Sequence, residues 1–149
     1  MTLEFVVYGV AAPKGSAKAF MPKGARFPIV THDSPKTKPW QQLVADRASA
    51  ALEPSGGAMF DGALALSVTF YLPRPKSLPK RVTEHVTRPD LDKLVRAVKD
   101  ALTKVAWQDD GQVVHVNATK RFAAVGAAPH AQIRITHWTD EQLTLAPTA

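Results

Sequence analysis

Four aspartates border one short stretch of the sequence whose pattern is helical. Asp90 and Asp92 open the segment RPDLDKLVRAVKDAL (88–102), and Asp109 and Asp110 follow a few residues after it. Carboxylate oxygens are ligands that Mg²⁺ accepts, together with waters and substrate phosphate. Such an ion polarises a phosphoryl oxygen, activates water and stabilises the leaving oxygen. A cluster of aspartates is therefore suited to phosphodiester hydrolysis.

Part of this acidic group also has a purely structural interpretation. Asp90 stands where a helix cap is expected, and Asp92 favours the positive end of the helix. Residues four apart would form an ion-pair ladder on the exposed face: Asp92, Arg96, Asp100 and Lys104. The adjacent Asp109 and Asp110 are left unexplained. They are either a turn before the next strand or metal ligands.

The helix itself is predicted from hydrophobic periodicity over residues 91–105. Its apolar face consists of Leu91, Leu94, Val95, Val98, Ala101, Leu102 and Val105. A straight helix of this length is roughly 22 Å long, which puts Asp90 and Asp110 near opposite ends. Three arrangements would bring them together: the helix ends early, the 105–110 segment folds back, or antiparallel helices of two protomers share one site.

The other elements predict an α/β (α+β) fold, a mixed sheet with two main helices packed on it. A first helix is expected from about 35 to 52. Alternating apolar residues make 63–72 the clearest strand. Further strands are expected at 3–9, 27–31, 112–122 and 131–138. Residues 1–138 are read as a single domain and 139–149 as a frayed C-terminal tail.

The chain is basic, with a net charge of +6 and a pI of about 9.8, which favours a polyanionic partner. Eleven of the nineteen Lys and Arg residues fall in two stretches, 11–40 and 73–89, which contain the predicted basic loops 11–27 and 73–89. Two basic loops beside an acidic site suit contact with a DNA backbone, the alternative being two solvated loops. The residues expected to contact DNA are Lys14, Lys18, Lys23, Arg26, Arg74, Lys76, Lys80, Arg81, Arg88, Lys93, Lys120 and Arg121.

Several classes of protein are disfavoured. The absence of cysteine excludes disulfides and thiolate metal sites and fits a reducing compartment. No Walker-type GK[ST] motif occurs, so no nucleotide cofactor is expected. The sequence has no signal-peptide pattern and no apolar run long enough for a membrane span, which predicts a cytoplasmic protein without membrane association.

The segment RPDLDKLVRAVKDALTKVAWQDDGQV (88–113) resembles the RusA family of crossover-junction endodeoxyribonucleases, whose motif reads approximately R-x-D-x-D-N-x-x-K, then D-A-L, then D-D-x-Q-[VI]. The matching positions are Arg88, Asp90, Asp92, Lys93, Arg96, Asp100, Ala101, Leu102, Asp109, Asp110, Gln112 and Val113. Lys93 replaces the family's asparagine, and Arg96 stands where the family has a functional lysine. Arg96 keeps the charge but not the ammonium geometry, so it either binds phosphate or pairs with Asp92 and Asp100.

The resemblance implies a homodimer, of phage or prophage type, that resolves four-way (Holliday) DNA junctions in the host cytoplasm by paired nicks. It implies Mg²⁺ as cofactor, and Mn²⁺ is expected to substitute. Asp90, Asp92, Asp110 and Arg96 would be catalytic. Asp90, Asp92 and Asp110 would bind the metal, with Asp109 and Asp100 in support, and Arg96 and Lys93 would lie near the scissile phosphate. Two alternatives remain open: a non-catalytic basic DNA-binding module whose acids only stabilise the helix, and a broader nuclease of flaps and forks.

Overall fold

A computed structural model describes residues 2–15, 18–31 and 34–139. The expected tail therefore lies outside the described residues from position 140 onward. Within the described ranges the strands and helices are, in order, β1 (Thr2–Tyr8), β2 (Lys18–Phe20), β3 (Ile29–Thr31), α1 (Thr37–Leu52), β4 (Leu64–Leu72), α2 (Leu91–Leu102), β5 (Val113–Phe122) and β6 (His130–His137). Single 3-10 turns follow α1 at Glu53–Ser55 and precede β5 at Asp110–Gln112.

The predicted mixed sheet is confirmed. Four strands pair in the order β1-β6-β4-β5, and β2 and β3 form a small separate sheet. β4 and β5 are parallel, whereas the other neighbours in the large sheet are antiparallel. Parallel neighbours need a crossover connection, and α2 supplies it. Because α2 carries the chain back along the sheet, it begins near the ends of β4 and β5 and finishes near their beginnings.

The core lies between one face of the sheet and the two helices. Every second residue of β4, from Leu64 to Leu72, is buried, as the alternation of the sequence predicts. α1 buries Trp40 and Val44 against this layer, and α2 buries its apolar face beside them. A hydrogen bond of 3.0 Å from Gln41 Nε2 to the carbonyl of Ala97 joins the two helices. Within the described ranges, no helix is both long and apolar enough to span a membrane.

α2 ends at Leu102, so its predicted end at residue 105 is wrong. The backbone of Thr103 is extended. Its N–H and its Oγ1 both donate to the carbonyl of Lys99, over 3.1 Å and 2.8 Å. Lys104 then has a positive φ of 70°. Trp107 is fully buried, and its Nε1 donates to Thr103 Oγ1 over 3.1 Å. Burial of this large ring therefore reverses the chain and stops the helix.

Candidate active site

Asp90 occupies the N-cap position of α2, but its side chain makes no capping hydrogen bond. Its carboxylate is 56% exposed and lies 3.8 Å from Lys93 Nζ. An exposed contact of this kind contributes little free energy and does not engage both oxygens. Asp92, in the first helical turn, is also exposed. The capping explanation therefore fails for Asp90, and two carboxylates at the start of α2 remain open to an external ligand.

The expected ion-pair ladder along α2 does not form. Lys104 leaves the helical stripe because its φ is positive. Asp100 pairs instead with Lys14, and the distance from Lys14 Nζ to Asp100 Oδ2 is 3.5 Å. Among the described residues, neither Asp92 nor Arg96 has an ion-pair partner. Arg96 is exposed, so its guanidinium is open to a ligand between the acids of the same helix face.

The first basic loop is fixed against α2 near these acids. The backbone N–H of Lys14 donates to the carbonyl of Lys93 over 3.0 Å. One residue earlier, the carbonyl of Pro13 accepts from Thr37 Oγ1 over 2.8 Å. Thr37 is fully buried at the start of α1. The loop therefore holds the Lys14 ammonium on the α2 face that carries Asp100.

Asp109 has a structural role that the sequence left open. Its Oδ1 accepts from the backbone N–H of Gly111 over 2.8 Å, and Gln112 Oε1 accepts from the backbone N–H of Asp109 over 3.1 Å. This reciprocal pair is a capping box around the 3-10 turn. Gln112 Nε2 also donates to the carbonyls of Phe60 and Gly62, each over 3.1 Å. Asp110 is exposed, and its side chain has no hydrogen-bond or ion-pair partner among the described residues.

Asp90 and Asp110 lie at opposite ends of the parallel pair β4–β5. Asp90 follows the loop at the end of β4, whereas Asp110 precedes the first residue of β5. The seven steps from Val113 to Lys120 along β5 span on the order of 20 Å. α2 does end early and the chain does turn back, but the turn leads to the start of β5. Accordingly, no three acidic or histidine side chains within residues 2–15, 18–31 and 34–139 are grouped to hold a metal ion.

The second basic loop is held in place by the end of β5. Arg74 lies over the ring of Phe122 at 5.2 Å and donates to the carbonyls of Val82 and Pro79, each over 2.8 Å. His85 stacks on the same ring, with centroids 4.5 Å apart. Arg74 was predicted to contact DNA, but its guanidinium is engaged with the loop's own backbone. Phe122 was not recognised from the sequence.

Lys120, also predicted to contact DNA, points into the same loop. Its ammonium donates to the carbonyls of Thr87 over 2.6 Å and Pro89 over 3.0 Å. Arg121, the next residue, lies on the opposite face of the sheet, in register with Tyr71. On that face Arg121 lies next to Tyr71, and Tyr71 in turn stacks on His130 of β6 with ring centroids 4.4 Å apart.

The other cations predicted to contact DNA are mostly exposed. Lys93 is partly exposed and contacts Asp90. The side chain of Lys18 lies outside the described part of the structure. The exposed members of the predicted set, apart from Arg121, are Lys23, Arg26, Lys76, Lys80, Arg81 and Arg88. They lie in the two basic loops, the first of which contacts α2 through Lys14 and the second of which leads into α2, so both loops offer exposed positive charge.

We expect His85 to make the protein less stable in acid. Burial, and secondarily the nearby charge of Lys120, lower the pKa of His85 below its usual value of 6.5. Below about pH 6.5 the unfolded chain takes up a proton that the folded chain resists, so stability falls as pH falls through the folded pKa. Thermal unfolding at about pH 7.5 and 5.5 checks this. His85→Phe, which keeps the stacking, should lose less Tm on acidification than the parent chain, and equal losses would contradict it.

Comparison with known proteins adds two findings. The family model described as "Endodeoxyribonuclease RusA" matches residues 11–136, which is most of the chain. The uncharacterized protein YqaN of Bacillus subtilis (strain 168) is 29% identical over 131 residues. That alignment covers 81% of this chain and 88% of the Bacillus protein.

Proposed function

The chain belongs to the RusA endodeoxyribonuclease family, and on that premise we propose that it resolves four-way (Holliday) DNA junctions by paired symmetrical nicks. One observation carries the proposal. Asp90 stands at a helix N-terminus without making the capping hydrogen bond, beside Asp92 and Arg96, which have no ion-pair partner among the described residues. Acids that served only to stabilise the helix would be engaged by it. Among the described residues, the Asp90 carboxylate makes one exposed 3.8 Å contact with Lys93, and Asp92 has no ion-pair partner.

The donor chemistry fits a hard divalent cation. Asp90, Asp92 and Asp110 offer only carboxylate oxygens, and Mg²⁺ is commonly held by one or two carboxylates, with waters and substrate phosphate completing its shell. The bound ion would supply Lewis-acid stabilisation of the phosphoryl and leaving oxygens. Mn²⁺ accepts the same ligands and is expected to substitute. Asp109 would contribute by holding the turn that presents Asp110.

The chain's own cations would act on the phosphate. Arg96 is one helical turn beyond Asp92, and its exposed guanidinium can bind phosphate oxygens in a bidentate manner. Lys93, in contact with Asp90, would orient that carboxylate before substrate binds and then interact with the scissile phosphate. Lys14 would neutralise the charge of Asp100, which lies two helical turns beyond Asp92 on α2, by pairing with it.

The separation of Asp90 and Asp110 favours a shared site in a homodimer. If two α2 helices lie antiparallel across a two-fold axis, the partner subunit's Asp110 approaches Asp90, and the same contact recurs at the other end. One dimer then has two equivalent sites. A four-way junction requires two symmetrical cuts, so this arrangement also accounts for paired nicking.

The exposed cations of the two loops would grip the DNA backbone. The second loop leads into the start of α2, where the proposed site lies, and the first loop contacts α2 through Lys14. Contacts of this kind need no fixed spacing. Arg121 would extend the positive surface to the other face of the sheet. A non-catalytic DNA-binding module would share this basic surface, but it gives no reason for the open carboxylates of Asp90 and Asp92.

Cleavage of a set of end-labelled DNA substrates tests the proposal. A four-way junction, a flap, a fork and a linear duplex are incubated with the protein in Mg²⁺, in Mn²⁺ and in EDTA. We expect metal-dependent, symmetrically placed nicks in the four-way junction and little cutting of the duplex. Tight binding without cutting in either metal would instead establish the binding module. Equal cutting of junction, flap and fork would establish the broader nuclease.

A further inference from the structure

Lys120 stands out because its positive charge is directed at the protein's own backbone. Its ammonium bonds the carbonyls of Thr87 and Pro89, at 2.6 and 3.0 Å, and Pro89 is the residue immediately before Asp90. The side chain is half-buried and lies on the helix-covered face of the sheet, in register with the fully buried Phe70. A residue used only to attract DNA would be expected to extend into solvent instead.

The strand that carries Lys120 is a fixed reference for the loop. β5 pairs with β4 in unbroken register from Ala65 opposite His115 to Leu72 opposite Phe122. Phe122, two residues beyond Lys120, carries the stacked His85 and Arg74. The end of β5 thus contacts the loop through two side chains, Lys120 and Phe122, and the Lys120 contact is the one nearest to α2.

The loop needs such an anchor because it has no regular structure of its own. Residues 73–90 contain no helix or strand, yet they end at the carboxylate of Asp90. The Asp90 side chain makes no capping hydrogen bond that would fix its carboxylate to α2, and its 3.8 Å contact with Lys93 is exposed. Metal and phosphate chemistry is sensitive to displacements of about 1 Å, which can cost roughly 100-fold in rate.

We propose that Lys120 is a positioning residue for the cleavage reaction: by bonding the two carbonyls before α2, it fixes the carboxylate of Asp90 where the metal and the scissile phosphate meet. This inference rests on the proposed function. It differs from the expectation that Lys120 contacts DNA. A positioning residue affects the rate of cleavage by enzyme that is already bound, whereas a residue that contacts the DNA backbone affects the affinity for DNA.

Three variants test the inference: Lys120→Met removes the charge and both hydrogen bonds, Lys120→Arg keeps a donor, and Arg134→Met is the matched control. Arg134 is an exposed strand cation, paired with Glu4 at 3.2 Å and outside the proposed site. Each protein is measured for junction Kd, for cleavage rate with enzyme in excess, and for amide hydrogen exchange over residues 85–92 without DNA.

For Lys120→Met we expect cleavage by bound enzyme to slow by about 10- to 100-fold while Kd stays within about threefold. Exchange over 85–92 should accelerate in this variant alone. Lys120→Arg should recover most of the rate, and Arg134→Met should match the parent chain. Two results for Lys120→Met would overturn the inference. One is a large loss of junction affinity with an unchanged cleavage rate for bound enzyme, and the other is no change in either quantity.

The exchange measurement keeps this inference separate from the proposed function. If the parent chain cuts no substrate, the proposed function fails, and Lys120 has no reaction to position. Faster exchange in Lys120→Met would then show only that Lys120 stabilises the loop, without any role in a reaction. If the parent chain cuts junctions and Lys120→Met cuts them equally fast, the positioning role alone is refuted.

Discussion

Replacing Asp90 with asparagine is expected to slow junction cleavage by about a thousandfold or more while leaving junction binding nearly unchanged. A loss of this size corresponds to about 4 kcal/mol of transition-state stabilisation, the scale of a metal contact to a developing charge. Asparagine has the shape of aspartate but no charge, and it is an equally good N-cap residue. The exposed position and the lack of a capping bond mean that the fold should not be affected.

The measurement is the single-turnover cleavage rate of a four-way junction in Mg²⁺, together with Kd in Ca²⁺. Asp46→Asn is the matched control, because Asp46 is an exposed acid on α1 that bonds only Gln42 among the described residues. The control should cut as the parent chain does. Cleavage by Asp90→Asn at the parent rate would remove Asp90 from the site, and with it the assignment of α2 as the catalytic helix.

The adjacent acids Asp109 and Asp110 should respond very differently to the same substitution. Asp110→Asn removes a proposed ligand and should slow cleavage by about 100-fold or more. Asp109→Asn leaves an oxygen that can still accept from Gly111, so the capping box persists and the loss should stay below about tenfold. Single-turnover rates measured side by side decide this. Equal losses would mean that Asp109 is itself a ligand, and no loss in Asp110→Asn would exclude Asp110.

Mixed dimers extend the same prediction to the shared site. When Asp90→Asn and Asp110→Asn chains are combined, one of the two shared sites contains both substitutions and the other contains neither. The mixed dimer should therefore regain one active site and make one of the two symmetrical nicks in the junction. If each site lies within a single chain, every site carries a substitution and the mixture stays inactive.

The fold was largely predictable because its elements have strong periodic signals. The alternation in β4 and the helical spacing from Leu91 to Leu102 both follow from the burial of one face. The end of α2 was not predictable from local pattern, since Val105 continues the apolar spacing. What ends the helix is the burial of Trp107 and the turn at Lys104, which are tertiary effects.

The acids of the site could be identified from sequence, but their individual roles could not. A helix-start aspartate normally caps, and only the folded structure distinguishes Asp90, whose side chain does not cap, from Asp109, whose side chain does. The cations show the same limit. Composition marks both basic loops, yet Arg74 and Lys120 bond backbone carbonyls that lie far away or in irregular sequence. The Lys120 contacts depend on the β4–β5 pairing, and the Arg74 contacts depend on the irregular path of the loop, so neither leaves a periodic signal in the sequence.

Metal binding to the carboxylates at the start of α2 is the central claim, and Mn²⁺ titration followed by electron paramagnetic resonance tests it most directly. The parent chain should bind Mn²⁺ in a way that Mg²⁺ displaces, and Asp90→Asn should lose at least about tenfold in affinity. Glu53→Gln, an exposed acid in the 3-10 turn after α1, should bind as the parent chain does. Mn²⁺ binding that is equal in the parent chain and Asp90→Asn would contradict the account.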